Sequence, residues 1–90
     1  MGFKISDDVV FRVLDREAVI LSLSSGVYFG LDKVGTRMWQ LIAEGQSTDR
    51  TIQMLIEEYE ADEEVLRRDF DGLTRQLMNK ALIQITSSEK

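Results

Sequence analysis

The chain has 90 residues, enough for one domain and one hydrophobic core. With 43% hydrophobic and 30% charged residues, it has the composition of a folded domain and not of an acidic disordered tail. It carries no Cys and no His, which excludes disulfides, thiolate metal sites, imidazole-based catalytic triads and most zinc sites.

The formal net charge is −5, from 16 acidic and 11 basic residues. Nucleic-acid binding draws much of its affinity from neutralised phosphates, so this balance favours a basic or amphipathic peptide over DNA as the partner. The first residues, Met1 to Asp8, lack the apolar run of a signal peptide. Met1-Gly2 with Ser6 fits the loose myristoylation pattern, but the match is too short to carry weight. No apolar run approaches the ~20 residues that span a bilayer, and a cytoplasmic protein is the expectation.

No repeat or linker divides the chain and Pro is absent. The apolar period changes once, from two to 3.6, and that change sets the order of elements. Val9 to Leu14 alternates as a strand. Asp15-Arg16 is a tight turn lacking the Gly that usually marks one. Glu17 to Leu23 is a second strand with Val19, Leu21 and Leu23 on one face. Ser24-Ser25-Gly26 is a turn signal, and Val27 to Leu31 is a third strand. Its Val27, Phe29 and Leu31 share one face and Tyr28 takes the other.

Helices follow. Asp32 is an N-cap for a helix whose stripe is Val34, Met38, Leu41 and Ile42, with Trp39 beside it and Gly45 at its end. Ser47 or Thr48 opens a second helix with an apolar face of Ile52, Leu55, Ile56 and Tyr59. Asp62 caps a third, with Glu63 and Glu64 in its positive first turn and a stripe of Leu66, Phe70, Leu73 and Leu77. Leu82 to Ile85 reads as a short extended segment before a polar tail. The expected class is α+β: a three-stranded antiparallel sheet followed by three helices, winged helix-turn-helix-like. In DNA-binding winged helices the hairpin follows the recognition helix, whereas here it comes first, so the similarity is architectural.

Few features carry chemistry. No nucleophile stands beside a base, no glycine loop cradles phosphate and no metal-ligand spacing occurs. The acidic run Glu57 to Glu64 lacks the spaced ligands of a calcium loop and marks the junction of two helices. Arg67, Arg68 and Arg75 alternate with Asp69 and Asp71 on a mixed-sign face, which weakens the rival reading of a winged-helix DNA-binding regulator. The stretch Gly26 to Asp32 keeps two readings. It completes a small sheet, which is the simpler one, or it offers an unpaired edge to an extended peptide. A third helix beside that edge would form an apolar groove, with Arg67, Asp69, Asp71 and Thr74 at its margin.

In order and spacing the chain resembles the PqqD-like family. The resemblance is carried by Leu21-x-Leu23, Gly26-x-Tyr28-x-x-Leu31-Asp32-x-x-Gly35, Met38-Trp39-x-Leu41-Ile42, Glu44-Gly45, Thr51-Ile52 to Tyr59, Asp62-Glu63-Glu64 and Leu73-x-x-x-Leu77-x-x-x-Ala81-Leu82-Ile83. It runs from about Val9 to Ile83, the expected core of a single domain over residues 1–90. The resemblance implies a non-catalytic recognition element for ribosomally made, modified peptides. Such proteins need no cofactor and add the leader segment of a precursor peptide as a strand. They pass the precursor to a radical SAM enzyme or a leader peptidase. Leu31-Asp32 with Gly35 and Trp39 is most similar to the stand-alone leader-binding proteins of lasso peptide biosynthesis. By this resemblance the peptide contacts are Val27, Tyr28 and Phe29 on the third strand and Leu66, Asp69, Phe70 and Leu73 on the third helix. Asp32 and Trp39 are structural. Monomer and dimer both remain open.

Overall fold

The computed structural model describes residues 2–86, and the expected polar tail beyond Thr86 lies outside them. Its elements are β1 (Gly2–Ile5), β2 (Val9–Leu14), β3 (Glu17–Ser22), β4 (Tyr28–Gly30), α1 (Lys33–Ala43), α2 (Thr48–Tyr59), α3 (Glu63–Asn79) and β5 (Ile83–Thr86). The architecture is α+β, with β2-β3-β4 forming one antiparallel sheet ahead of the three helices.

One strand escapes the sequence reading. β1 pairs antiparallel with β5, from Gly2 opposite Thr86 to Ile5 opposite Ile83, as a separate two-stranded ribbon. The core therefore begins before Val9. Phe3 is buried and meets Phe70 of α3 edge-on, with ring centroids 5.9 Å apart. Four residues alternating across a ribbon are too few for periodicity to register, and their partner lies at the far end of the chain.

The β2–β3 hairpin turns at Asp15 and Arg16, which have φ of 55° and 68°. Both residues thus adopt the left-handed conformation that a two-residue hairpin needs, without a glycine to ease it. The inner face of β3 differs from the expected one. Ala18, Ile20 and Ser22 are buried, while Val19 and Leu23 are exposed. The register places Phe11 opposite Ile20, and Phe11 meets the fully buried Trp39 edge-on at 5.4 Å. The helical layer thus selects the Ala18–Ile20 side, and small Ala18 lets α1 come close. The outer side of the sheet keeps Val10, Val19 and Tyr28 exposed.

The caps stand where their residue types predict. Asp32 Oδ1 accepts from Gly35 N–H at 2.8 Å, Ser47 Oγ from Arg50 N–H at 3.1 Å and Asp62 Oδ1 from Glu64 N–H at 2.8 Å. Gly45, at φ 84°, ends α1 by donating its N–H to the Ile42 carbonyl. Leu41, Ile52, Leu55 and Leu77 are completely or almost completely buried, whereas Tyr59, at the end of the α2 stripe, is exposed. Sheet and helices are tied together at Ala18. Its N–H donates to Thr36 Oγ1 of α1 at 2.8 Å in a buried bond, and its carbonyl accepts from Leu31 N–H at 2.9 Å.

Arg37 and Glu58 join α1 to α2 by two parallel hydrogen bonds of 2.9 Å. Hydrogen bonding from Arg37 holds the Glu58 carboxyl below its ordinary range, and burial opposes this only in part. The stability this pair contributes is present above the unfolded-state carboxyl pKa and fades as pH falls through the lower folded value.

Two outcomes follow for stability. Arg16→Gly should raise stability by about 0.5–1 kcal/mol in thermal or urea unfolding, because glycine takes the left-handed position without strain. Glu58→Gln should destabilise the domain by under about 1 kcal/mol near neutral pH, since the pair is a third exposed. The difference from the parent should close as unfolding is measured at progressively more acidic pH, below the carboxylate range.

Candidate peptide-binding groove

β4 is an edge. It pairs with β3 in the register Val19–Gly30, Ile20–Phe29 and Leu21–Tyr28, and with no other described strand. The pairing continues at both ends, where Ser22 N–H donates to the Val27 carbonyl and Leu31 N–H to that of Ala18. In an antiparallel ladder the polar groups of alternate residues point to opposite sides. Val27, Phe29 and Leu31 are the residues turned to β3. The N–H and C=O groups of Tyr28 and Gly30 therefore face the open edge. Gly30 carries no side chain, and nothing lies within 4 Å of where a Cβ would stand.

That edge borders a groove of about 510 Å³. One wall is Phe29, Gly30 and Leu31; the floor is Val34, Gly35 and Met38 of α1; the far wall is α3, through Arg68, Asp69, Gly72, Leu73 and Gln76. Asp32 closes one end, its carboxylate already engaged as the α1 cap. Lys80 lies over the Phe29 ring, 5.9 Å from the centroid, and helps hold that side chain in place. Met38 and Leu31 are buried and Leu73 half-buried, so the lining is apolar below and charged at the rim, where Asp69 and Arg68 are exposed.

The expected contact residues divide in three. Phe29, Asp69 and Leu73 line the groove together. Tyr28 brings its backbone to the edge, but its side chain stands on the outer face of the sheet, 69% exposed, and Val27 turns its carbonyl to β3. Leu66 and Phe70 are core residues, 4% and 2% exposed, and Phe70 faces Phe3 on the opposite flank of α3. Of the expected margin residues only Asp69 reaches the groove. Asp71 and buried Thr74 lie on the Phe3 side with Phe70. Arg67 is engaged by Glu63 at 2.8 Å and Asp49 at 3.2 Å.

Sequence reasoning marked Gly30 as a place where another backbone could approach, but missed Val34, Gly35, Met38, Arg68, Gly72 and Gln76 as lining residues. The helical period held the signal for α3. Residues 69, 72, 73 and 76 form a stripe beside the core stripe of Leu66, Phe70 and Leu77, and a glycine inside it is conspicuous. Glycine in a helix interior costs roughly 1 kcal/mol relative to alanine.

Chemically, the arrangement offers hydrogen-bond pairing along an edge and apolar burial in a groove, and can receive an extended chain. A basic face suited to duplex DNA does not form on α3, where Arg67 and Arg75 are held in ion pairs with Glu63, Asp49 and Asp71. Among the described residues no group of three or more acidic side chains is placed to hold a metal ion. No described helix is long and apolar enough to cross a membrane.

A three-stranded meander set against three helices, with its last strand open over α3, is the fold of a PqqD-like recognition domain. The family described as coenzyme PQQ synthesis protein D (PqqD) matches residues 17–83, and the chain belongs to it. Among solved structures it is similar to TbiB1 in complex with the TbiA(beta) leader peptide, at 40% identity and a TM-score of 0.87, covering 94% of this chain and 99% of that one. It also shares the fold of a lasso peptide synthetase B1 complexed with its leader peptide, at 24% identity and a TM-score of 0.84, covering 94% of this chain and all of that one. Nothing matches among curated proteins.

Leu73→Asp places a carboxylate on the apolar wall at a position that is only half-buried. It should leave the circular dichroism spectrum native and weaken the binding of a groove-bound peptide at least tenfold in a titration, the loss of about 1.4 kcal/mol or more expected when a central contact is removed.

Proposed function

We propose that this chain captures the leader segment of a ribosomally made precursor peptide and presents it to a separate enzyme, a peptide-modifying enzyme or a leader peptidase. The leader adds as an antiparallel strand to β4, pairing with the free groups of Tyr28 and Gly30, and lays alternate side chains into the groove against α3. The observation that carries this reading is the open edge of β4 facing a groove of about 510 Å³ with an apolar floor and a polar rim. The 40%-identical TbiB1, solved with a leader peptide, supports a leader peptide as the ligand.

The proposed contacts are the Tyr28 and Gly30 backbone, Phe29, Leu73 and, at the rim, Asp69. Leu66 and Phe70 support the groove from within the core. The chain acts by binding and needs no cofactor, leaving the chemistry to its partner. Because the precursor is made on the ribosome, capture belongs in the cytoplasm. The lasso peptide branch of the family fits best, given the Leu31-Asp32, Gly35 and Trp39 pattern.

Hydrogen exchange tests the geometry. A displayed library of peptides about twelve residues long, ~40 Å when extended, supplies the ligand. With an enriched peptide bound, the amides of Tyr28 and Gly30 should gain protection, while that of Leu31, already bonded to Ala18, should change little. Failure to enrich any peptide, or protection confined to another surface, would overturn the reading. So would tight, salt-sensitive binding of a DNA duplex at low ionic strength.

A further inference from the structure

Gly72 sits at the centre of the α3 wall, flanked by Asp69 and Leu73 and one turn from Arg68 and Gln76. Nothing in the fold requires a glycine there. Gly72 lies well inside a helix of 17 residues, its φ is not positive and it neither caps nor turns the chain. A Cβ added to it would meet nothing within 4 Å, so no neighbouring element crowds the position. Alanine would fit the free domain and strengthen the helix. The gap is therefore useful only to something absent from the free domain, and it opens into the groove.

We propose that Gly72 is a specificity-determining gap, which lets one bulky apolar side chain of the captured strand rest on the bare backbone of α3. This rests on the leader-capture reading and says which residue class the leader must place there. A strand added to β4 directs alternate side chains to the two faces of the sheet. The residue opposite Phe29 points to the same face as Phe29, toward α3, and those opposite Tyr28 and Gly30 point to the outer face. The inward side chain meets Phe29 on one side, Met38 and Val34 below, and Leu73 with the Gly72 backbone across the groove. With a side chain at position 72 the groove narrows at its middle, and only a small inward residue fits.

Gly72→Ala and Gly72→Leu test this, alanine and leucine both being good helix formers. Gly72→Ala should raise the Tm by about 4–8 °C, the shift expected for a helix-interior glycine replaced in a domain of this size. Peptides enriched on the parent from the displayed library, and lost on Leu73→Asp, should bind Gly72→Ala about tenfold more weakly, the overpacking of one methyl group. Gly72→Leu should lose them altogether. Selection repeated on Gly72→Leu should replace the bulky apolar residue at one peptide position by Gly, Ala or Ser. The inference is overturned if groove-binding peptides hold both variants within twofold of the parent, if both selections enrich the same residues, or if Gly72→Ala lowers the Tm. If no peptide is enriched on the parent, the capture reading itself falls and the inference with it.

Discussion

The hydrogen bonds centred on Ala18 hold the two halves of the domain in register. Its N–H reaches the buried Thr36 Oγ1 of α1, and its carbonyl takes the N–H of Leu31 at the end of β4. A buried backbone N–H without a partner would cost about 1–3 kcal/mol, so the sheet cannot slide over the helical layer without that penalty. Because Leu31 leads directly into the Asp32 cap of α1, the same contacts set the direction in which β4 runs and leave its free edge facing α3. Groove, floor and open edge all depend on that placement.

The groove is made as much by what is left out as by what is built. Gly30 places no side chain beside the free edge, and Gly72 leaves the middle of the α3 wall without one. The chain also places Asp15, Arg16, Glu60 and Ala81 at positive φ, each where glycine would be less strained. A small domain has little stability to spare. A peptide that binds only the folded form stabilises it by mass action, about 2.7 kcal/mol at a hundred times its Kd. An edge that is exposed alone and paired in complex couples ligand capture to domain stability.

Much of this was legible in advance. The β2-β3-β4 order, the hairpin turn at Asp15-Arg16, the caps Asp32, Ser47 and Asp62 and the stop at Gly45 follow from local rules, because each depends on a residue's own conformational preference or on neighbours within a turn. The acidic run from Glu57 to Glu64 likewise resolves into the end of α2 and the start of α3. The edge at Tyr28 to Gly30 could be suspected from its glycines and the absence of a following strand.

Periodicity assigned Leu66, Phe70 and Leu73 to one stripe without saying which of them faced the core and which the groove. That division was decided by β1, whose Phe3 packs on Phe70 and covers that flank of α3, turning the Asp69–Gly72–Leu73 flank outward toward β4. The face of β3 was decided the same way. Alternation allows either Val19 and Leu21 or Ala18 and Ile20 to turn inward, and the close approach of α1 through Thr36 selects the side with the small residue. The sequence by itself therefore determined the elements from β2 to α3, to within a residue or two at their ends, and the family to which they belong. Only the tertiary structure decided which side of each element is core and which is groove, because that choice rests on contacts between residues as far apart as Phe3 and Phe70, which no local pattern records.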